Sequence, residues 1–149
     1  MNTPASRIPT PRPDPLVWIA EDDDDDRMLI AEALRDVGVD HAVHFARDGA
    51  ELIEQLRGAR QLPDLILLDL NMPRMSGQAA LECMRGDVQM RVVPVVVLTT
   101  SGTESDIRSA YAAGANSYLR KPRSFHGLVA LIRRLREYWF ETVSLPGRH

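Results

Sequence analysis

Cysteine is nearly absent from this chain: Cys83 is the only one among 149 residues. No intrachain disulfide can form, and no cysteine–histidine metal cluster is available. The four histidines, His41, His44, His126 and His149, do not cluster and read as surface or edge residues. No apolar run approaches the ~18 residues a membrane helix needs. The segment Met1 to Arg7 lacks the apolar core of a signal peptide. These absences fit a reducing cytoplasm. Net charge is −3, so nothing favours bulk attraction to nucleic acid. Neither a G-x-x-x-x-G-K-[ST] nor a G-x-G-x-x-G loop appears, which argues against a nucleotide P-loop or a dinucleotide fold. No G-x-S-x-G nucleophile elbow appears either.

Residues 1–15 carry Pro4, Pro9, Pro11, Pro13 and Pro15. Proline lacks a backbone donor, so this stretch cannot join a helix or an inner strand. It reads as a flexible, extended arm. From Leu16 onward short apolar runs stand at 16–20, 42–46, 64–70, 93–98 and 117–119. Helically spaced apolar residues lie between them, with Gly38 and Gly114 as expected helix stops. Strands alternating with helices imply a doubly wound α/β fold, a five-stranded parallel sheet with helices on both faces. Residues 16–141 make this one domain and 142–149 a tail. The runs at 64–70 and 93–98 are apolar almost throughout, as expected of central strands covered on both faces.

The polar residues that end these runs form a pattern. Glu21 and Asp22 follow the first, Asp69 the third, Thr99 and Thr100 the fourth, and Lys121 the last. In open α/β sheets ligands bind beyond the carboxyl ends of the strands, where strand order reverses. Asp22 and Asp69 on neighbouring strands bring like charges together, at about 4 kcal/mol for a pair at ~4 Å and an effective dielectric of ~20. Either one acid is protonated or a cation sits between them. An oxygen-only acid set suits Mg²⁺. The backbone carbonyl of Asn71 is a further suitable ligand. Thr99 stands opposite the acids, and Lys121, extended before Pro122, can reach toward Asp69. Asp24, Asp25 and Asp26 precede a helix and read as capping or plain surface acids.

Taken together, Ile19-Ala-Glu-Asp-Asp23, Leu67-Leu-Asp-Leu-Asn-Met-Pro-Arg-Met-Ser-Gly77, Val96-Val-Leu-Thr-Thr-Ser101 and Ala113-Gly-Ala-Asn-Ser-Tyr-Leu-Arg-Lys-Pro122 resemble the receiver domain of bacterial two-component response regulators. The resemblance covers Leu16 to about Trp139. It implies a flavodoxin-like sheet with strand order 2-1-3-4-5. It also implies that Asp69 is the phospho-acceptor, and that Glu21, Asp22, Asp69 and the Asn71 carbonyl hold Mg²⁺. Thr99 would bond a phosphoryl oxygen and Lys121 the phosphorylated aspartate. Tyr118 would be the switch aromatic, and Lys121–Pro122 a cis bond. The phosphodonor would be a sensor histidine kinase, so the protein is expected to be a phosphoacceptor that assists its own modification, not an enzyme in the usual sense. Two features depart from the family pattern: Glu21 replaces the commoner aspartate, and Arg123 stands where an apolar residue is usual.

Only Glu141 to His149 follow the last expected helix, so a stand-alone receiver acting through its surface is expected. The segment Arg136 to Pro146 is similar to the ends of small regulators that work with phytochrome histidine kinases. It holds three consecutive aromatics, Tyr138, Trp139 and Phe140, more than one buried helical stripe can use. Tyr138 or Phe140 is therefore expected to face a partner, a bacteriophytochrome-linked system and a homodimer being the readings held here. The alternative is that the tail folds back on its own core. Two other functions compete: a phosphate-independent pseudo-receiver, which is expected to have lost acceptor, metal acid, threonine or lysine, and a Mg²⁺-dependent phosphatase, which usually wants an aspartate where Asn71 stands.

Overall fold

The computed structural model describes residues 15–40 and 43–146. Most of the proline-rich arm and residues 147–149 lie outside the described residues. The apolar runs become five strands: β1 (Val17–Ala20), β2 (Val43–Ala46), β3 (Leu65–Leu68), β4 (Val95–Thr99) and β5 (Ser117–Arg120). The stretches between and after them become α1 (Asp24–Val37), α2 (Gly49–Gly58), α3 (Gly77–Arg85), α4 (Glu104–Ala113) and α5 (Phe125–Leu135). No helix among the described residues is long and apolar enough to cross a membrane.

All strands pair in parallel, in the order β2-β1-β3-β4-β5. The chain therefore runs outward from β1 to β2, returns to β3 on the other side of β1, and continues from there. β1 and β3 flank the point of reversal, in the register Ala20 to Leu68.

Side chains alternate across the sheet because a strand has a period of two. Trp18, Ala20, Ile66, Leu68, Val95 and Val97 point into one core with α2, α3 and Ala110 of α4. Val17, Ile19, Leu65, Leu67, Val96 and Leu98 point into the other with α1 and α5. β1, β3 and β4 are buried along their whole length. This explains why their sequences read as continuous apolar runs rather than as alternating ones.

Helix ends match their residue types. Ser76, Thr103 and Ser124 accept from the third backbone amide beyond them and cap α3, α4 and α5. Gly38 and Gly114 end α1 and α4 in the left-handed conformation. After Leu135 the chain winds on as a wider, π-type turn, Arg136–Thr142. Trp139 and Leu145 are buried there, and Phe140 and Val143 pack on the α1–α5 core. The tail thus folds back over its own core, while Tyr138 stays 54% exposed.

One close approach ties the fold to the strand ends. A Cβ on Gly77 would stand 2.1 Å from the Asp69 carbonyl oxygen and 2.8 Å from Leu70 Cα. Both are backbone atoms and cannot swing aside. Gly77→Ala is expected to destabilise the protein by about 1–3 kcal/mol, as overpacking does. Chemical denaturation measures this, and an unchanged midpoint would show that the β3 end yields freely.

Candidate functional site

The strand ladders extend one residue further and place the polar groups. Glu21 N–H donates to the Ala46 carbonyl at 3.0 Å, Asp69 N–H to Ala20 at 3.0 Å, and Lys121 N–H to Thr99 at 2.7 Å. The residues just past β1, β3 and β5 are therefore held in register with their neighbours. Glu21, Asp69 and Thr99 are all buried, and Asp22 is exposed.

Glu21, Asp22 and Asp69 each offer a carboxylate oxygen, and these oxygens lie within 4.8 Å of one another. The Lys121 ammonium, with only 11% of its side chain exposed, sits among three acids. Its Nζ lies 2.5 Å from Glu21 Oε1, 2.9 Å from Asp26 Oδ2 and 3.4 Å from Asp69 Oδ2. Burial pushes the Glu21 carboxyl from 4.5 up to about 7; the Lys121 hydrogen bond opposes this, and the Asp69 charge adds to it. Burial works against the Lys121 charge as well, but hydrogen bonds to Asp26 and Glu21 more than offset it and raise its pKa.

Three carboxylates, Glu21, Asp26 and Asp69, thus meet one ammonium, and Asp22 adds a fourth acid beside Glu21 and Asp69; a divalent cation would redress that imbalance. The donor set is all oxygen, as Mg²⁺ prefers. Thr99 Oγ1 is buried with no hydrogen-bond partner among the described residues. A buried hydroxyl left unsatisfied costs about 1–3 kcal/mol, and an added phosphoryl oxygen is an acceptor of the kind it lacks. The residues therefore fit both a cation and a phosphoryl group.

Asn71 opens the turn two residues past Asp69, and its N–H reaches Asp69 Oδ1 at 3.4 Å. Arg74, in that same turn, has a positive φ of 63°. Its guanidinium makes a two-point bond with Asp48, at 2.9 and 3.1 Å, and this holds the Asp48 carboxyl below its ordinary range. The Gly49 amide also donates to the Met75 carbonyl at 3.1 Å. The Asp69 turn is thereby fastened to the start of α2.

Tyr118 is half-buried against the α2–α4 core, and its hydroxyl donates to the Ser101 carbonyl at 2.8 Å. Ser101 Oγ bonds Asp106, while Thr103 caps α4. One family-derived expectation is corrected: all peptide bonds among the described residues are trans, Lys121–Pro122 included. Trans is the ordinary preference of such a bond, and from it Lys121 already reaches Asp69. The two C-terminal candidates part company, with Phe140 half-buried on its own core and Tyr138 exposed.

Two groups escaped the sequence reading. Asp26 reads from the sequence as a capping or plain surface acid, yet it binds Lys121 across 95 positions of sequence. No local signal marks such a pair. Arg27 bonds the carbonyls of Glu21 and Asp22 at 2.9 and 3.1 Å and pairs with Asp24, bracing the β1–α1 turn. Its place in the first turns of α1, just after an acidic run, was a legible hint.

Residues 17–133 match the response regulator receiver domain family. Response regulator Rcp1 of Synechocystis is 34% identical over 91% of this chain and 95% of its own length. Its Mn²⁺-bound crystal structure superposes with a TM-score of 0.80 over 89% of this chain and 99% of that one. The phosphorylated cyanobacterial phytochrome response regulator RcpA is 36% identical, with a TM-score of 0.84 over 91% of this chain and all of that one. The probable methanogenesis regulatory protein FilR2 of Methanothrix harundinacea is 37% identical over 89% of this chain and 88% of its own. The sheet order, the acids at the reversal point and these matches agree: the chain belongs to the response regulator receiver domain family of two-component signal transduction.

Proposed function

We propose that Asp69 accepts a phosphoryl group from the phosphohistidine of a sensor histidine kinase. The observation that carries this is the pairing of a buried carboxylate, held beside Lys121, with the partnerless hydroxyl of Thr99 at the adjoining strand end. An Asp69 oxygen forms the new P–O bond, the P–N bond to imidazole breaks, and the imidazole leaves with a proton. Lys121 neutralises charge on the transferred group and Thr99 donates to one of its oxygens. Glu21, Asp22, Asp69 and the Asn71 carbonyl are the proposed Mg²⁺ ligands. Bound there, Mg²⁺ supplies further charge neutralisation.

The product carries more negative charge and more acceptor oxygens than Asp69 alone. Thr99 and Lys121 turning to them biases the β4–α4 loop, whose Ser101 carbonyl is already held by Tyr118. That is the proposed switch. The similarity to Rcp1 and RcpA supports a phytochrome-type kinase as the partner, in the cytoplasm. A homodimer through the C-terminal face is supported by a groove of about 530 Å³ lined by Leu119, Leu131, Arg134, Leu135, Tyr138 and Trp139. Tyr138 on its rim is 54% exposed.

Acetyl phosphate with Mg²⁺ is expected to add one phosphoryl group to the wild type by intact mass, and none to Asp69→Asn. An equal adduct on both would overturn the assignment. In the same assay Thr99→Val is expected to react about 100-fold slower, as on loss of a preorganised donor. Its melting temperature should be equal or higher, because a partnerless hydroxyl has been removed.

Glu21 sets a pH dependence. Its folded pKa, about 7, lies above the ordinary 4.5. The metal-free fold thus holds an extra proton between those values and loses stability as pH rises through them. Mg²⁺ competes with that proton, so its affinity is expected to rise as pH passes about 7. Thermal melts with EDTA or Mg²⁺ at pH 6 and pH 8 check both signs. For the dimer, sedimentation is expected to show a two-chain species that Tyr138→Glu converts to monomer; an unaltered two-chain species would place the contact elsewhere.

A further inference from the structure

Lys121 has three N–H donors and meets three carboxylates, at 2.5 Å (Glu21), 2.9 Å (Asp26) and 3.4 Å (Asp69). Two of these three, Glu21 and Asp69, also belong to the acid trio whose oxygens converge within 4.8 Å. A cation held by that trio draws on the same carboxylates that hold the ammonium. Asp26 alone of the three stands outside the trio, on the first turn of α1, with 34% of its side chain exposed. It is 2.9 Å from Nζ, and α1 packs against α5, the helix that follows the Lys121 loop.

We propose that Asp26 is a positioning residue for Lys121: it holds the ammonium from α1 and so releases Glu21 and Asp69 to bind Mg²⁺. This rests on the assignment of Glu21, Asp22 and Asp69 as the metal ligands. A buried ammonium stripped of its carboxylates is strongly disfavoured. Without Asp26, Lys121 keeps its hold on Glu21, and metal and ammonium compete for one carboxylate. With Asp26, the ammonium has a partner the metal does not need. The lysine side chain is long and flexible, so a second fixed acceptor also keeps Nζ within reach of an oxygen on Asp69. Asp26 touches neither the acceptor nor the transferred group, and it acts through Lys121.

The test uses the full chain and Mg²⁺ itself, titrated by calorimetry. Asp26→Asn is expected to weaken Mg²⁺ binding about tenfold, the range seen when a residue that orients metal ligands is lost. Asp26→Glu is expected to recover most of the affinity. Asp25→Asn removes an equal charge from the same helical turn at an exposed position and is expected to change the affinity much less. In a Lys121→Ala background the effect of Asp26→Asn is expected to shrink to that of Asp25→Asn. Phosphorylation by acetyl phosphate at saturating Mg²⁺ should fall far less than the affinity does, so the defect appears as a raised Mg²⁺ requirement. Wild-type Mg²⁺ affinity in Asp26→Asn would overturn the proposal. So would equal losses in Asp25→Asn and Asp26→Asn, or an undiminished effect without Lys121. Each of those outcomes leaves the acceptor assignment standing where the wild type still gains phosphate on Asp69. A phosphate adduct that survives Asp69→Asn overturns the acceptor assignment and not the role of Asp26.

Discussion

The ion cluster around Lys121 is the constraint on which the rest of this protein turns. Acids projecting from the ends of β1 and β3 are held there by backbone ladders that cannot be relaxed without disrupting the sheet. Their mutual repulsion is met by one ammonium, drawn in from the end of β5. The same charge can be balanced in two ways: by a proton on Glu21 with the lysine close by, or, as proposed above, by a divalent cation on Glu21, Asp22 and Asp69 with the lysine held by Asp26. Burial sharpens the choice, because charges of like sign interact more strongly away from water.

The sheet makes this arrangement possible. Reversal of strand order between β1 and β3 leaves no connection over their carboxyl ends, and the acids project into that opening. The loops are then fastened from behind. Arg27 bonds the carbonyls of the β1–α1 turn, and Arg74 with Asp48 locks the turn after Asp69 to α2. Gly77 lets α3 begin against the Asp69 backbone. By contrast, the β4–α4 loop is secured chiefly by hydroxyls and one carbonyl, through Ser101, Asp106 and Tyr118. It lies beside Thr99, whose own hydroxyl has no partner among the described residues. The side braced by arginines carries the proposed cation ligands, and the β4–α4 side carries the proposed switch.

At the far end of the chain the aromatic segment divides its labour. Trp139 inserts into the α1–α5 core and Phe140 packs on its margin, while Tyr138 faces outward over the β5–α5 groove. The widened turn at Arg136–Thr142 changes the angular spacing between residues. An ordinary helical stripe therefore does not describe which of three adjacent aromatics is buried.

Much was legible in the sequence because the signals were local. Continuous apolar runs marked β1, β3 and β4, the helical spacing marked what lies between, and an acid directly after a strand marked Glu21, Asp22 and Asp69. Gly38 and Gly114 marked helix stops. What stayed hidden depended on contacts between distant segments. Asp26 looked like any first-turn acid, since its lysine lies 95 residues away. Asp48 and Arg74 are separated by 26 positions, and neither is unusual alone. The half-buried state of Phe140 likewise follows from packing. By itself the sequence determined the order of strands and helices and which acids stand at strand ends, because hydrophobic period and chain neighbours decide both. Only the tertiary structure decided how those charges are shared, because the partner of a buried ion is whichever group the fold brings within about 3–4 Å.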